Sequence, residues 1–465
     1  MASVMATLSS GHGEVSREMV VTTVLVSLAS FMEVADEQIT PSLFRNIGHS
    51  FGLSPSQLGL LTLSRALTQA LASPFAGYWS EYTQRVKIIS IGCVLWGICT
   101  FIVGSATTFR MAMIASAFNG IGLAMVVPAI QSLLADYWPR NMRGTVFGAQ
   151  SFTASLGGLM GGLYATNMGA KQFVVGNEGW RFVFHSTGLV SMVLGWIVLL
   201  FATEPPNTKV SKPKPHFWEY AKKVGQVMKI SSFRVIVLQG ILGSMPWNAL
   251  AYLTLLFQLL GFNDAQASAM RAIFVLGTSC GLFMGGILGD IASTLFPDSG
   301  RILIAQTSVV SGLPLSILLF RGLPQDAATT MASWYGITLF VMGLSISWCS
   351  SGCNSPVFAD IVPTHMRTSV YAFDRCFEGA IGALGTPLVG VIAEYGFGMT
   401  LKDFYDGDGI AGDIKDAKAL SDSLLVMLIY PWTLCLCSYT LLHLYYPKDR
   451  LEAAKKSQQQ EDDDS

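Results

Sequence analysis

The chain has 465 residues, 51% of them hydrophobic and only 13% charged, with a formal net charge of −1 and a mean hydropathy of +0.48. Average soluble domains carry about 25% charged residues, so this composition excludes an ordinary soluble domain and points to a polytopic helical membrane protein. A net charge near zero, with no basic run interleaved with aromatics, excludes a general nucleic-acid binder.

Residues 1–18 form a polar tail, expected to be cytoplasmic, without the apolar core and small-residue cleavage site of a signal peptide. Apolar blocks follow, each of about twenty residues and long enough for a helix to cross a bilayer core. They run from Met19 to Pro41 (span 1), Gln57 to Trp79 (span 2), Ile88 to Thr108 (span 3), Met111 to Ala135 (span 4), Gly144 to Met168 (span 5) and Trp180 to Thr203 (span 6). A polar stretch intervenes, and the blocks resume from Phe233 to Leu260 (span 7), Ala267 to Gly289 (span 8) and Ile302 to Phe320 (span 9). Thr329 to Phe358, Thr368 to Tyr395 and Leu424 to Tyr445 complete spans 10 to 12. The expected fold is all-α: twelve transmembrane helices in two pseudo-symmetric bundles of six, 19–203 and 233–446, joined by a basic linker, 204–232. Residues 447–465 are expected to be a disordered acidic tail.

The linker fixes the expected orientation. Lys209, Lys212, Lys214, Lys222, Lys223 and Lys229, with Arg234, outnumber Glu204 and Glu219, which marks the cytoplasmic side and puts both termini there. From His216 to Lys229, Phe217, Ala221, Val224 and Met228 recur at helical spacing, suiting an amphipathic helix in the headgroup layer or packed on the bundle. All eight cysteines fall in apolar segments without metal-ligand spacing, so core thiols are expected, with no metal and no cofactor.

Two repeats align the halves. Ala135 to Arg143 and Ala359 to Arg367 both read A-D-x-x-P-x-x-M-R, each between apolar blocks. After span 2, Gly77 and Glu81 precede Arg85; after span 8, Gly286 and Asp290 precede Arg301. A glycine one turn before a carboxylate lets helices approach closely and sets the charge at the membrane surface.

With this six-plus-six organisation, basic linker and loop motif, the chain resembles the major facilitator superfamily. Phe31-Met-Glu33 with Pro41, and Lys229-Ile-Ser-Ser-Phe233, are similar to its spinster-like branch, although Glu33 stands where an Asp is usual and Val34 replaces an Arg. The resemblance implies alternating access, with substrate held between the halves and spans 1, 4, 7 and 10 lining the route. It also implies a lysophospholipid or sphingoid-type cargo, whereas the intramembrane charges suit a polar organic anion equally well.

Charges within a bilayer are costly and normally face a cavity or a partner. Glu33, Asp36 and Glu37 share one face of span 1 at i, i+3 and i+4. Carboxylates so close repel, and taking up a proton relieves the repulsion; Arg65 on span 2 lies at similar depth to neutralise one of them. On span 11, Asp374, Arg375 and Glu378 form a second constellation, whereas span 5, its repeat partner, has no charge and instead offers Gly157, Gly158, Gly161 and Gly162. Fixed ion pairs are the structural alternative for both clusters.

Expected lining residues are Asn119 and Gln131, then Gln239, Trp247 and Asn248, and on span 10 Trp348 and Asn354. Gly77, Glu81, Arg85, Asp136, Arg143, Asp290, Asp360 and Arg367 are expected to latch the cytoplasmic side. Pro246 and Pro356 are expected to kink spans 7 and 10.

Gly277 to Gly281 spells G-x-S-x-G, but within an apolar helix where small-residue packing explains it, and no Walker or zinc-protease motif accompanies it. The expected function is therefore secondary active transport by a monomer in the lipid bilayer, with protons as coupling ion and Glu33 and Glu378 as protonation sites. A receptor or channel is the alternative.

Overall fold

The computed structural model describes residues 16–138, 140–169, 171–173, 177–205, 222, 225, 229–362, 367–400 and 410–464. Among the described residues, twelve helical rods answer the apolar blocks. Spans 1 to 6 are Arg17–Ser42, Pro55–Tyr82, Arg85–Gly104, Phe109–Tyr137, Arg140–Gly169 and Gly179–Phe201. Spans 7 to 12 are Ser231–Leu259, Asp264–Leu295, Gly300–Gly322, Ala332–Phe358, 367–396 and Ile410–Asp464. Among the described residues, ten stretches are long and apolar enough to cross a membrane; the rods outside that set are spans 2 and 5, rich in serine, threonine, glutamine and glycine. Among the described residues the structure besides helix and turns is one small hairpin, Gln172–Phe173 against Asn177–Glu178, before span 6.

Polar residues start the helices by satisfying N–H groups that have no partner within the helix. Ser16 and Thr108 accept from the amides of Met19 and Met111. Spans 2 and 8 share a fuller device. Gly52 and Gly261 both adopt positive φ (63° and 85°), Leu53 and Phe262 behind them are buried, and Ser54 and Asn263 form capping boxes with Gln57 and Gln266. These residues stand in the same register as Glu81 and Asp290, a third repeat between the halves.

Helix breaks occur where the two prolines were expected to kink. Past Pro246, span 7 passes through a 3-10 turn, Leu250–Tyr252, and before Pro356 span 10 passes through a π turn, Ser350–Asn354. Span 12 differs from expectation in continuing as helix to Asp464. Its alanine-, lysine- and glutamine-rich end favours helix and extends an existing one, so no nucleation cost opposes it. The linker helix from His216 lies outside the described residues apart from Lys222, Gly225 and Lys229.

The halves meet at the end opposite the linker. Gly59 lies against Thr386 and Pro387, Gly390 against Pro55 and Ser56, and Gly379 against Ala70, which zips span 2 to span 11 from that end past mid-helix. All described hydrogen bonds between the halves belong to this seam: Ser56 Oγ to Glu394 (2.7 Å), Tyr252 Oη to the Pro55 carbonyl (2.5 Å) and Asn167 Nδ2 to Ser268 Oγ (3.3 Å). Core packing agrees. One buried apolar cluster runs from Ile39, Leu43 and Phe44 into spans 7 to 12, while a second, from Val26 to Ala202, stays within spans 1 to 6 at the linker end.

Candidate functional site

The span 1 carboxylates divide into three environments. Glu37 pairs with Arg65 Nη1 at 2.9 Å, and Arg65 also donates to Gln69 of its own helix. Asp36 turns into the bundle, where Thr100 Oγ1 donates to one oxygen (2.7 Å) and Asn119 Nδ2 to the other (3.1 Å), joining spans 1, 3 and 4. Glu33 is 6% exposed and takes part in no described hydrogen bond or ion pair. Three carboxylates thus face one arginine, and only Glu33 lacks a described polar partner. Gly120 permits the arrangement, since a Cβ there would collide with the Arg65 carbonyl.

On span 11, Asp374 is buried and Glu378 lies half-buried against Gly240 of span 7, in a notch that a Cβ would fill. Ser244 Oγ donates to the Glu378 carbonyl, and Thr386 Oγ1 to that of Asn248, so the two spans are laced together here. The Arg375 side chain lies outside the described ones.

Several expected lining residues tie helices together. Gln239 is buried with its amide near Cys435 of span 12, Asn354 accepts from Tyr439 Oη (2.7 Å), and Asn119 holds Asp36. Trp247 packs against Phe274 of span 8, Asn248 donates to Ser244 within its helix, Trp348 lies over Gly285, and Gln131 is exposed.

At the linker end Arg85 is nearly buried between Asp136 (2.6 Å) and Glu204 (3.5 Å), clamping the start of span 3 to the ends of spans 4 and 6. In the second half Asp290 pairs with Arg301 (2.8 Å), and Asp360 accepts from Tyr446 Oη (2.6 Å). Gly77 lies in span 2 one turn before Glu81; the side chains of Glu81, Arg143 and Arg367 lie outside the described ones. Gly277 and Gly281 pack on the carbonyls of Phe340 and Leu344, and Ser279 Oγ bonds back to Val275, so G-x-S-x-G is a packing face here.

Sequence reasoning passed over Thr100, whose role depends on a contact between distant spans, and Arg271. Arg271 is a cation within span 8 whose helical neighbours, Ala267, Ser268, Phe274 and Val275, include no acid. That absence of a carboxylate at i±3 or i±4 was the available signal.

Two six-helix bundles with charged groups buried among their helices are an architecture found in membrane transporters built from repeats. The model of the Major Facilitator Superfamily matches residues 26–386, and the chain belongs to that superfamily. In fold it is similar to a bacterial homolog of the human lysosomal transporter Spinster in its inward-facing, unoccupied conformation: TM-score 0.78, 21% identity, covering 94% of this chain and 99% of that one. The cis,cis-muconate transport protein of Acinetobacter baylyi is 23% identical over 384 residues, 79% of this chain and 86% of its own. The quinolone resistance protein NorA of Staphylococcus aureus is 32% identical over 110 residues, 24% of this chain and 28% of its own.

Proposed function

We propose that the chain is a secondary active transporter working by alternating access, in which protonation of Glu33 couples proton movement to the passage of an organic solute. The observation that carries this is the unequal treatment of the span 1 acids: Glu37 has Arg65, Asp36 has Thr100 and Asn119, and Glu33 has neither. A buried carboxylate without a partner is costly in charged form, and a proton is the smallest group that neutralises it. Glu378, wedged against Gly240 between spans 7 and 11, is the second protonation site. The seam opposite the linker closes one end of the route, and the Lys/Arg excess of the linker supports a cytoplasmic location for the other end, which corresponds to an inward-facing state. Gly77, Glu81, Arg85, Asp290, Arg143 and Arg367 then act where the cytoplasmic ends must part and rejoin.

The sequence resemblance to the spinster-like branch implies an amphipathic lipid-like solute, whereas the muconate transport protein, matched over most of both chains, supports an organic anion. Proteoliposomes test the coupling. Uptake of radiolabelled cis,cis-muconate or of a lysophospholipid should rise with an imposed pH gradient. Glu33→Gln should abolish that rise while sparing exchange between equal internal and external pools. Uptake indifferent to the gradient, with Glu33→Gln and Glu378→Gln both leaving it intact, would show the coupling to be wrong.

A further inference from the structure

Arg271 lies about 10 Å along span 8 from the end opposite the linker, at 1.5 Å rise per residue. Its Nη1 donates to the Leu250 carbonyl (3.0 Å) in the 3-10 turn after Pro246, where that oxygen also accepts from the Leu253 amide, and its Cζ lies 5.7 Å from the Phe274 ring centroid. No described carboxylate pairs with it. A guanidinium carries five N–H donors, and the Leu250 carbonyl is its one described acceptor.

Arg271 lines a narrow crevice in which Gln38, Ser42, Thr166, Thr254 and Ser268, neutral and polar, alternate with apolar side chains such as Leu159 and Val275. Spans 1 and 5 of the first half and spans 7 and 8 of the second all contribute, so the crevice straddles the seam. Gly158 and Gly162 hold it open. A Cβ on Gly162 would meet only Ser42 Oγ at 3.5 Å, whereas Cβ atoms on Gly157 and Gly161 would collide with the backbone of Phe31 and Ala35. The contrast with the first half is instructive. Aligned on Glu81 and Asp290, Arg271 falls within one turn of the position matching Arg65, yet Arg65 has Glu37 and Arg271 has no acid.

We infer that Arg271 is an anion anchor: as the seam parts, its guanidinium takes a carboxylate or phosphate group of the transported molecule, with the neutral hydroxyls and amide of the crevice completing the shell. Arginine's planar fork matches a two-oxygen acceptor, and an intramembrane cation without a protein counter-charge marks a ligand path. The inference rests on the transporter reading and names its substrate class as carboxylate or phosphate oxyanions. Because the crevice spans both halves, the bound anion bridges them.

Thermal-shift titration of the purified full-length protein in detergent tests this without any gradient, so loss of proton coupling in Glu33→Gln and loss of anion binding here are separate results. The probes are cis,cis-muconate, a lysophosphatidate and inorganic phosphate, with muconic diamide and a monoacylglycerol as uncharged counterparts. The wild type should be stabilised by muconate if the ligand is a soluble carboxylate, by lysophosphatidate if it is a lipid headgroup, or by phosphate if the free ion suffices, and not by the uncharged counterparts. Arg271→Gln should need about tenfold more of the effective anion. If Arg271→Gln does not fold, Arg271→Lys, which keeps the charge and loses the fork, should weaken binding about threefold. The proposal is overturned if no anion stabilises the wild type, if the uncharged counterparts do so equally, or if the folded variant titrates like the wild type.

Discussion

Single residues in this chain are legible in proportion to how local their partners are. The acidic face of span 1 shows in the i, i+3, i+4 spacing of Glu33, Asp36 and Glu37, but which acid would be paired depends on Arg65, Thr100 and Asn119 from three other spans. Glu178 belongs to the same class. Outside the spans, at the start of span 6, it accepts from Ser50 (2.8 Å), Trp180 (2.8 Å) and Arg181 (3.0 Å). Partial burial pushes its carboxyl up, and those hydrogen bonds with the Arg181 charge outweigh burial, holding it below the ordinary carboxylate range. A lowered folded value means that its stabilisation is complete above the unfolded carboxylate range and is lost as pH falls through the folded value. Glu178→Gln should therefore melt lower than wild type near pH 7, with the gap closing as the medium is acidified below that range. A gap constant with pH would show that the Glu178 charge contributes nothing.

Among elements, span 5 shows what a glycine motif can and cannot reveal. Its overlapping G-x-x-x-G steps announce close packing, but periodicity alone cannot say which step touches the neighbour. Gly157 and Gly161 take the Phe31 and Ala35 backbone, while Gly158 and Gly162 face the crevice of Arg271. The two faces should respond differently to one methyl group. Gly157→Ala should lower the melting temperature through overpacking worth about 1–3 kcal/mol, whereas Gly162→Ala should melt as wild type. Equal melting points would remove the distinction between the faces. Element starts were half legible too: Pro55 and Gln57 mark span 2, but the shared G-x-[S/N]-x-x-Q device became visible only once Gly52 and Gly261 were both found with positive φ.

For the whole molecule, twofold duplication was readable because apolar blocks of bilayer length and repeated loops are properties of sequence alone. The conformation was not, because the contacts that close one end join residues far apart in the chain: Ser56 to Glu394, Tyr252 to Pro55, Asn167 to Ser268. In the proposed alternating access this seam opens as the linker end closes, with Glu33 proposed to bias the exchange. Pulsed electron resonance distances test that most directly, with one spin-label pair at Gln84 and Thr294 on the linker end and another at Lys171 and Ala265 on the opposite end, all exposed positions. As pH is lowered in the wild type, the populations should shift reciprocally, one pair shortening while the other lengthens, and Glu33→Gln should be insensitive to pH. Distances that stay fixed, or that lengthen together at both ends, would contradict the account.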